Sequence, residues 1–202
     1  MTETDIKNNW NYFCSLTKQF QQTEQFVDHS MDSNGDMING QTFSNEFAKL
    51  LLLSASEFEV IAKTLCNESG KTISDKANIL VISKTILTIY PNIVNTEIKT
   101  PYKSITPLSQ WALDKNNSSN VIGIQWWTDY NKIKHNRLNN FPKANLNNCV
   151  NALASLMILE LYLSQKVLGN LNTVTPVNCS YFDCKYGYNV LSANPGNQLP
   201  DF

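Results

Sequence analysis

The chain has 202 residues, 42% hydrophobic and 16% charged, which suits one globular domain with a sizeable core and is too apolar for a disordered polymer. A net charge of −1 excludes a global basic field, so any binding of nucleic acid must come from a local patch. Lysine almost completely replaces arginine, a bias of AT-rich genomes, and the sole guanidinium is Arg137.

Trp10, Phe13, Leu16 and Phe20 recur at helical spacing and predict an amphipathic helix over 5–25. The stretch FVDHSMDSNGDMINGQTF then changes character. Asn34-Gly35 and Asn39-Gly40 mark tight turns, so a small hairpin-like insertion is expected near 26–43. Asp32, Asn34 and Asp36 imitate the start of a calcium loop. Met37 stands where that loop needs glycine and Phe43 where it needs a bidentate glutamate, so tight turns explain the residues better. His29 reads as a surface or turn residue rather than a ligand.

Ser44 is placed to cap a helix that runs through Phe47, Leu50, Phe58, Ile61 and Leu65 and ends before Gly70. Glu59 and Lys63 are spaced for a surface ion pair. Ser74 is read as the start of the next helix, with Ile79, Ile82, Ile86 and Ile89 on one face and Pro91 as its stop. Residues 91–123, with three prolines and the polar patch DKNNSSN, form a long connection that Ile105 and Trp111 pin to the core. Helix returns from Gln125 to about Asn136. Pro142 suits the first turn of a long apolar helix from Lys143 to about Leu168, closed by Gly169 and expected to be central. The tail, 170–202, carries Tyr181, Phe182, Tyr186 and Tyr188 among turn residues and is expected to form a short hairpin or wrap on the surface. The expected fold is all-α: one domain, a bundle of about five main helices with its core in 44–168 and an irregular C-terminal tail.

Five cysteines, Cys14, Cys66, Cys149, Cys179 and Cys184, are odd in number and scattered. No second close pair and no nearby histidine completes a zinc set, so they read as buried or free thiols in a reducing cytosol. The segment MTETDIKNNW is acidic and polar, unlike a secretory signal. The longest apolar stretch, CVNALASLMILELYL, is interrupted by Asn151, Ser155 and Glu160 and reads as too short and polar to span a bilayer. A cytoplasmic protein without membrane contact is expected. No Walker loop, GxSxG elbow or dinucleotide fingerprint occurs, and neither metal nor cofactor is expected.

The chemistry-bearing stretch is WWTDYNKIKHNRLNNF, 126–141. On a helix, Trp126, Tyr130 and Ile133 share an inward face, while Trp127, Asn131, Lys134 and His135 share a neighbouring one. Lys132, Lys134, Arg137 and Lys143 outweigh Asp129, so the stretch can hold a phosphate, with Arg137 as a bidentate donor. His135 suits proton transfer near neutrality. The structural alternative has Asn131 and His135 satisfying buried polar groups and Arg137 paired with Glu57, Glu59 or Asp129.

The segment YNKIKHNR leading into a long apolar helix resembles the HEPN superfamily, helical domains many of which are dimeric ribonucleases of toxin–antitoxin, CRISPR-associated and phage-defence systems. The resemblance covers roughly 44–168 in layout. It implies a site made of arginine, commonly followed by asparagine, and then histidine four to six residues on. Asn131 and His135 fill the asparagine and histidine positions, but Tyr130 stands at the arginine position and no histidine follows Arg137. Either the ribonuclease activity is absent, leaving a regulatory module, or Arg137 or Lys134 supplies the cation while His135 moves the proton. The candidate catalytic residues are then His135, Arg137 and Asn131, with Lys134, Lys132, Tyr130 and Lys143 as candidate binding residues. The resemblance also implies a homodimer, RNA as a ligand, or a protein partner encoded beside it.

Overall fold

A computed structural model describes residues 1–114, 121–171, 181–186, 188–189, 194–195 and 198–202. The chain is mainly helical. Among the described residues the α-helices are α1 (Glu3–Gln22), α2 (Asn45–Glu68), α3 (Ile79–Ile89), α4 (Gln125–His135), the single turn α5 (Arg137–Asn140) and α6 (Leu146–Leu168). Three antiparallel ribbons of two-residue strands accompany them: β1 (Ile98–Lys99) with β2 (Ser104–Ile105), β3 (Ala112–Leu113) with β4 (Val121–Ile122), and β5 (Tyr188–Asn189) with β6 (Asn194–Pro195). The fold is therefore largely helical rather than a pure all-α bundle, because the long connection folds into two ribbons and the tail into a third.

Every α-helix described except α4, whose cap position is held by Ile124, starts where a short polar side chain can satisfy its first free amides. Thr2 and Asp5 close a reciprocal capping box on α1. Ser44 caps α2 through Phe47 N at 3.0 Å. Asn78, not Ser74, caps α3 through Val81 N at 3.1 Å. Ser74 instead anchors a turn, accepting from Ala77 N, so the helix starts later than its sequence signal. Asn145 caps α6 through Asn148 N at 2.9 Å. Pro142 belongs to a separate 3-10 turn, Phe141–Lys143, which shortens the predicted last helix at its start. Gly169, at φ +70°, ends α6 in the left-handed conformation that glycine adopts without strain.

α6 is the central element. α2 packs along it most extensively, and α1 and α4 also lie against it. Its 23 residues are long and apolar enough to cross a bilayer, contrary to the sequence reading, but 89% of its most apolar window is buried inside the protein. The core is aromatic as well as aliphatic: Phe13, Phe20, Phe47, Phe58, Trp126 and Tyr162 are all buried.

The tail does more than wrap the surface. Tyr181 stands edge-on to Phe20 with ring centroids 4.9 Å apart, and Phe182 lies over the same ring at 6.4 Å. Tyr181, Phe182 and Tyr186 are all buried, so 181–186 closes the end of the bundle over α1. His29 is not a surface residue: it is fully buried, bridging Thr23 Oγ1 at 3.0 Å and the Tyr181 hydroxyl at 3.1 Å. The insertion forms one antiparallel bridge, Met31 to Met37, around a turn in which Asp32 Oδ1 accepts from Asn34 N and Asp36 N. The would-be calcium ligand thus serves its own backbone.

Cys66, Cys149 and Cys184 are free thiols, but Cys14 is disulfide-bonded, which corrects the reading of all five as thiols. Its bonding partner, Cys179 and most of the patch DKNNSSN lie outside the described residues.

Candidate functional site

α4 carries the predicted constellation and ends within it. Asn136 takes an extended φ of −152°, breaking the helix, and its side chain then caps α5 through Asn139 N. Asn140 Nδ2 donates to the carbonyls of Lys132 and Asn136, tying the turn back on the helix end. Arg137 therefore starts a new turn and does not return to the Tyr130 face. Lys132, Lys134 and His135 occupy the last turn of α4, where positive charge is favoured beside unsatisfied carbonyls.

The candidate residues separate by environment. Tyr130 is buried with Trp126 and Ile133, as the helical spacing predicts, and packs tilted against Trp127 with ring centroids 5.0 Å apart. Trp127 is buried too. Asn131 turns inward along its own helix and donates to Trp127 O at 3.1 Å. His135, Lys134 and Arg137 are exposed. Lys134 lies over the Tyr130 ring at 5.5 Å. Arg137 donates to Asn45 Oδ1 at 3.3 Å and rests over Phe141, with its guanidinium carbon 5.6 Å from the ring centre. None of the expected carboxylate partners is in contact with it among the described residues.

Asp129 organises the remainder. It is buried, and Lys143 Nζ lies 2.7 Å from its Oδ1, with Lys132 Nζ at 3.9 Å. Asn148 Nδ2 donates to its other oxygen at 3.2 Å and to Lys143 O at 2.8 Å. Burial alone would raise the Asp129 pKa. Hydrogen bonds from Lys143, Gln125 and Asn148 outweigh it and hold the carboxyl below its ordinary range. The sequence reading counted Asp129 as a minority charge. The structure makes it the buried hub that joins α4 to the start of α6 and engages two of the four cations.

Among the described residues no group of three histidine, cysteine, aspartate or glutamate side chains could hold a metal. Sequence reasoning also missed two features. One is Glu160, buried at the centre of α6. The other is an apolar cavity between α2, α3 and the start of α4, whose lining residues come from four separate segments. No protein-family model, curated protein or solved structure matches the chain. The site is therefore read from its own geometry.

Proposed function

We propose that this chain is a non-catalytic helical module of HEPN-like layout, acting in the cytoplasm as a regulatory or interaction subunit of a bacterial toxin–antitoxin or defence-type system. The observation that carries this reading is the Asp129 hub. Lys143 and Lys132 face a buried carboxylate, Tyr130 is core, Asn131 is spent on its own helix, and Arg137 braces Asn45 and Phe141. These residues hold α4, α5 and α6 together, which leaves few free groups to bind a phosphodiester.

The competing reading, a metal-independent ribonuclease, draws on the exposure of His135, Lys134 and Arg137 at one helix end. In that case a homodimer would set two such ends against one RNA strand. Incubation of the intact protein with labelled single-stranded RNA, without added metal, separates the two. The interaction reading expects equal, background-level RNA decay for wild type and His135→Ala. Cleavage by wild type that vanishes in His135→Ala, with the melting temperature unchanged, would establish the ribonuclease instead.

A further inference from the structure

The turn α5 and the 3-10 turn after it present an apolar point in a basic frame. Leu138 is 87% exposed, more than any other large apolar side chain described. It stands three residues before Phe141, so the two share one face of the turn. Phe141 is partly exposed and meets Phe43 edge-on, with ring centroids 5.2 Å apart; Phe43 is itself exposed. The Arg137 guanidinium lies over the Phe141 ring and is held by Asn45 Oδ1. That brace uses one of its N–H donors and leaves others for a ligand. Lys134, one turn before Leu138 in the chain, is exposed as well. Among the described residues neither Lys134 nor Arg137 makes an ion pair.

The charge around this point has one sign. No aspartate or glutamate occurs between Asp129 and Glu160; the first is committed to Lys143 and the second is buried in α6. Glu46, at the start of α2, is answered by Lys49. The patch is therefore basic and apolar at once, in a chain of net charge −1. That combination selects the occupant. A second copy set against this face about a two-fold would oppose cations with cations. An RNA strand would use the cations and leave Leu138 in water. A lipid surface takes up a whole apolar helix face, and one projecting leucine offers too little. A peptide with carboxylates beside a bulky apolar residue uses both parts of the patch. A carboxylate pairs bidentately with the guanidinium fork, and the apolar residue takes Leu138 and Phe141 out of water.

We propose that the α5 face docks an acidic peptide segment of a partner protein, with a carboxylate on Arg137 and an apolar side chain against Leu138 and Phe141. This assignment rests on the interaction reading of the chain and names the chemistry of the partner. Arg137 is already held between Phe141 and Asn45, so it loses little side-chain freedom when a carboxylate arrives. Lys134 adds charge at the rim, which speeds encounter and is screened by salt.

Arg137 is the sole arginine, so its Nε–H gives one resonance that reports on this face alone. The test is a titration of the intact protein, at low salt, with a synthetic peptide of aspartate, glutamate, leucine and phenylalanine. The Arg137 Nε–H and Leu138 methyl signals should shift and saturate. Leu138→Ser and Arg137→Gln should each weaken binding about tenfold with the melting temperature unchanged. A control peptide with serine in place of leucine and phenylalanine should bind wild type about tenfold more weakly, and one with lysine in place of the acids should not bind. If the acidic peptide moves neither signal, or if either variant binds it as tightly as wild type, the assignment is wrong. It is also wrong if polyuridylate RNA or phosphatidylserine vesicles move these signals at lower concentration than the peptide does. Should Arg137→Gln fail to fold, Leu138→Ser, a change at an exposed position, decides alone. RNA cleavage that is lost in His135→Ala would remove the interaction reading itself. A silent peptide in a protein that leaves RNA intact would remove only this docking site.

Discussion

Glu160 stands in the middle of α6 with both carboxylate oxygens buried and, among the described residues, without a hydrogen-bond partner. Burial, with Glu57 on α2 as a second negative neighbour, pushes its pKa well above the ordinary carboxyl value. Burial raises Glu57 as well. The folded state thus keeps a proton that the unfolded state releases, so stability falls as pH rises past about 4.5. Glu160→Met should stabilise the protein by about 1–3 kcal/mol at pH 8 and by less at pH 4, read from denaturant midpoints at both values. A flat or reversed pH dependence of that gain would mean that Glu160 is paired after all. His29 acts on the acid side. Burial lowers its pKa from 6.5 to about 4, against the opposing pull of Asp28, and Glu24 lies 3.8 Å away. A lowered histidine gives stability that is present above pH 6.5 and lost as pH falls towards 4. Wild type should lose about 2–3 kcal/mol over that window, and His29→Gln should lose less. Neither residue was readable in this role. Glu160 appeared only as an interruption in an apolar run, and His29 sat among turn residues. Its burial comes from Tyr181, 152 positions away.

Between elements, the α4–α6 junction depends on one carboxylate. Asp129→Asn keeps the shape but removes the charge that Lys143 and Lys132 answer. Thermal unfolding should show a loss of about 1–2 kcal/mol. The freed lysines should also increase retention on a phosphate-bearing resin at low salt, an effect that wild type lacks if the hub is intact. Helices α2, α4 and α6 were legible within a few residues, because their apolar periodicity agrees with their caps. The end of α4 at about Asn136 was legible too, but the direction of the chain after it was not: the new turn at Arg137 depends on one backbone dihedral that residue types do not dictate. A clue did exist in the basic last turn, Lys132, Lys134 and His135, which suits a helix end as well as it suits a phosphate. The same charges therefore supported two readings, and only the position of Asp129 against Lys143 and Asn148 separates their uses.

Across the whole molecule, one central helix organises the packing. That α6 would be central was readable from its two apolar sides, and its burial agrees. The ribbons of the long connection were not readable, since strands of two residues carry no alternation to detect. The cavity was invisible for a related reason: Phe58, Ser83, Trp111 and Trp127 are far apart in sequence and meet only after packing. The central place of α6 also sets an order in time. Both α1 and α2 lay their apolar faces on a helix that begins at Leu146, so on a ribosome α1, ending at Gln22, waits through more than a hundred residues of synthesis for the shared partner, and α2, ending at Glu68, through more than seventy. Until α6 emerges, the aromatic faces of the first half have only one another. The chain is thus built to close from its late half backwards, and its newborn first half is the stage at which it most needs a chaperone.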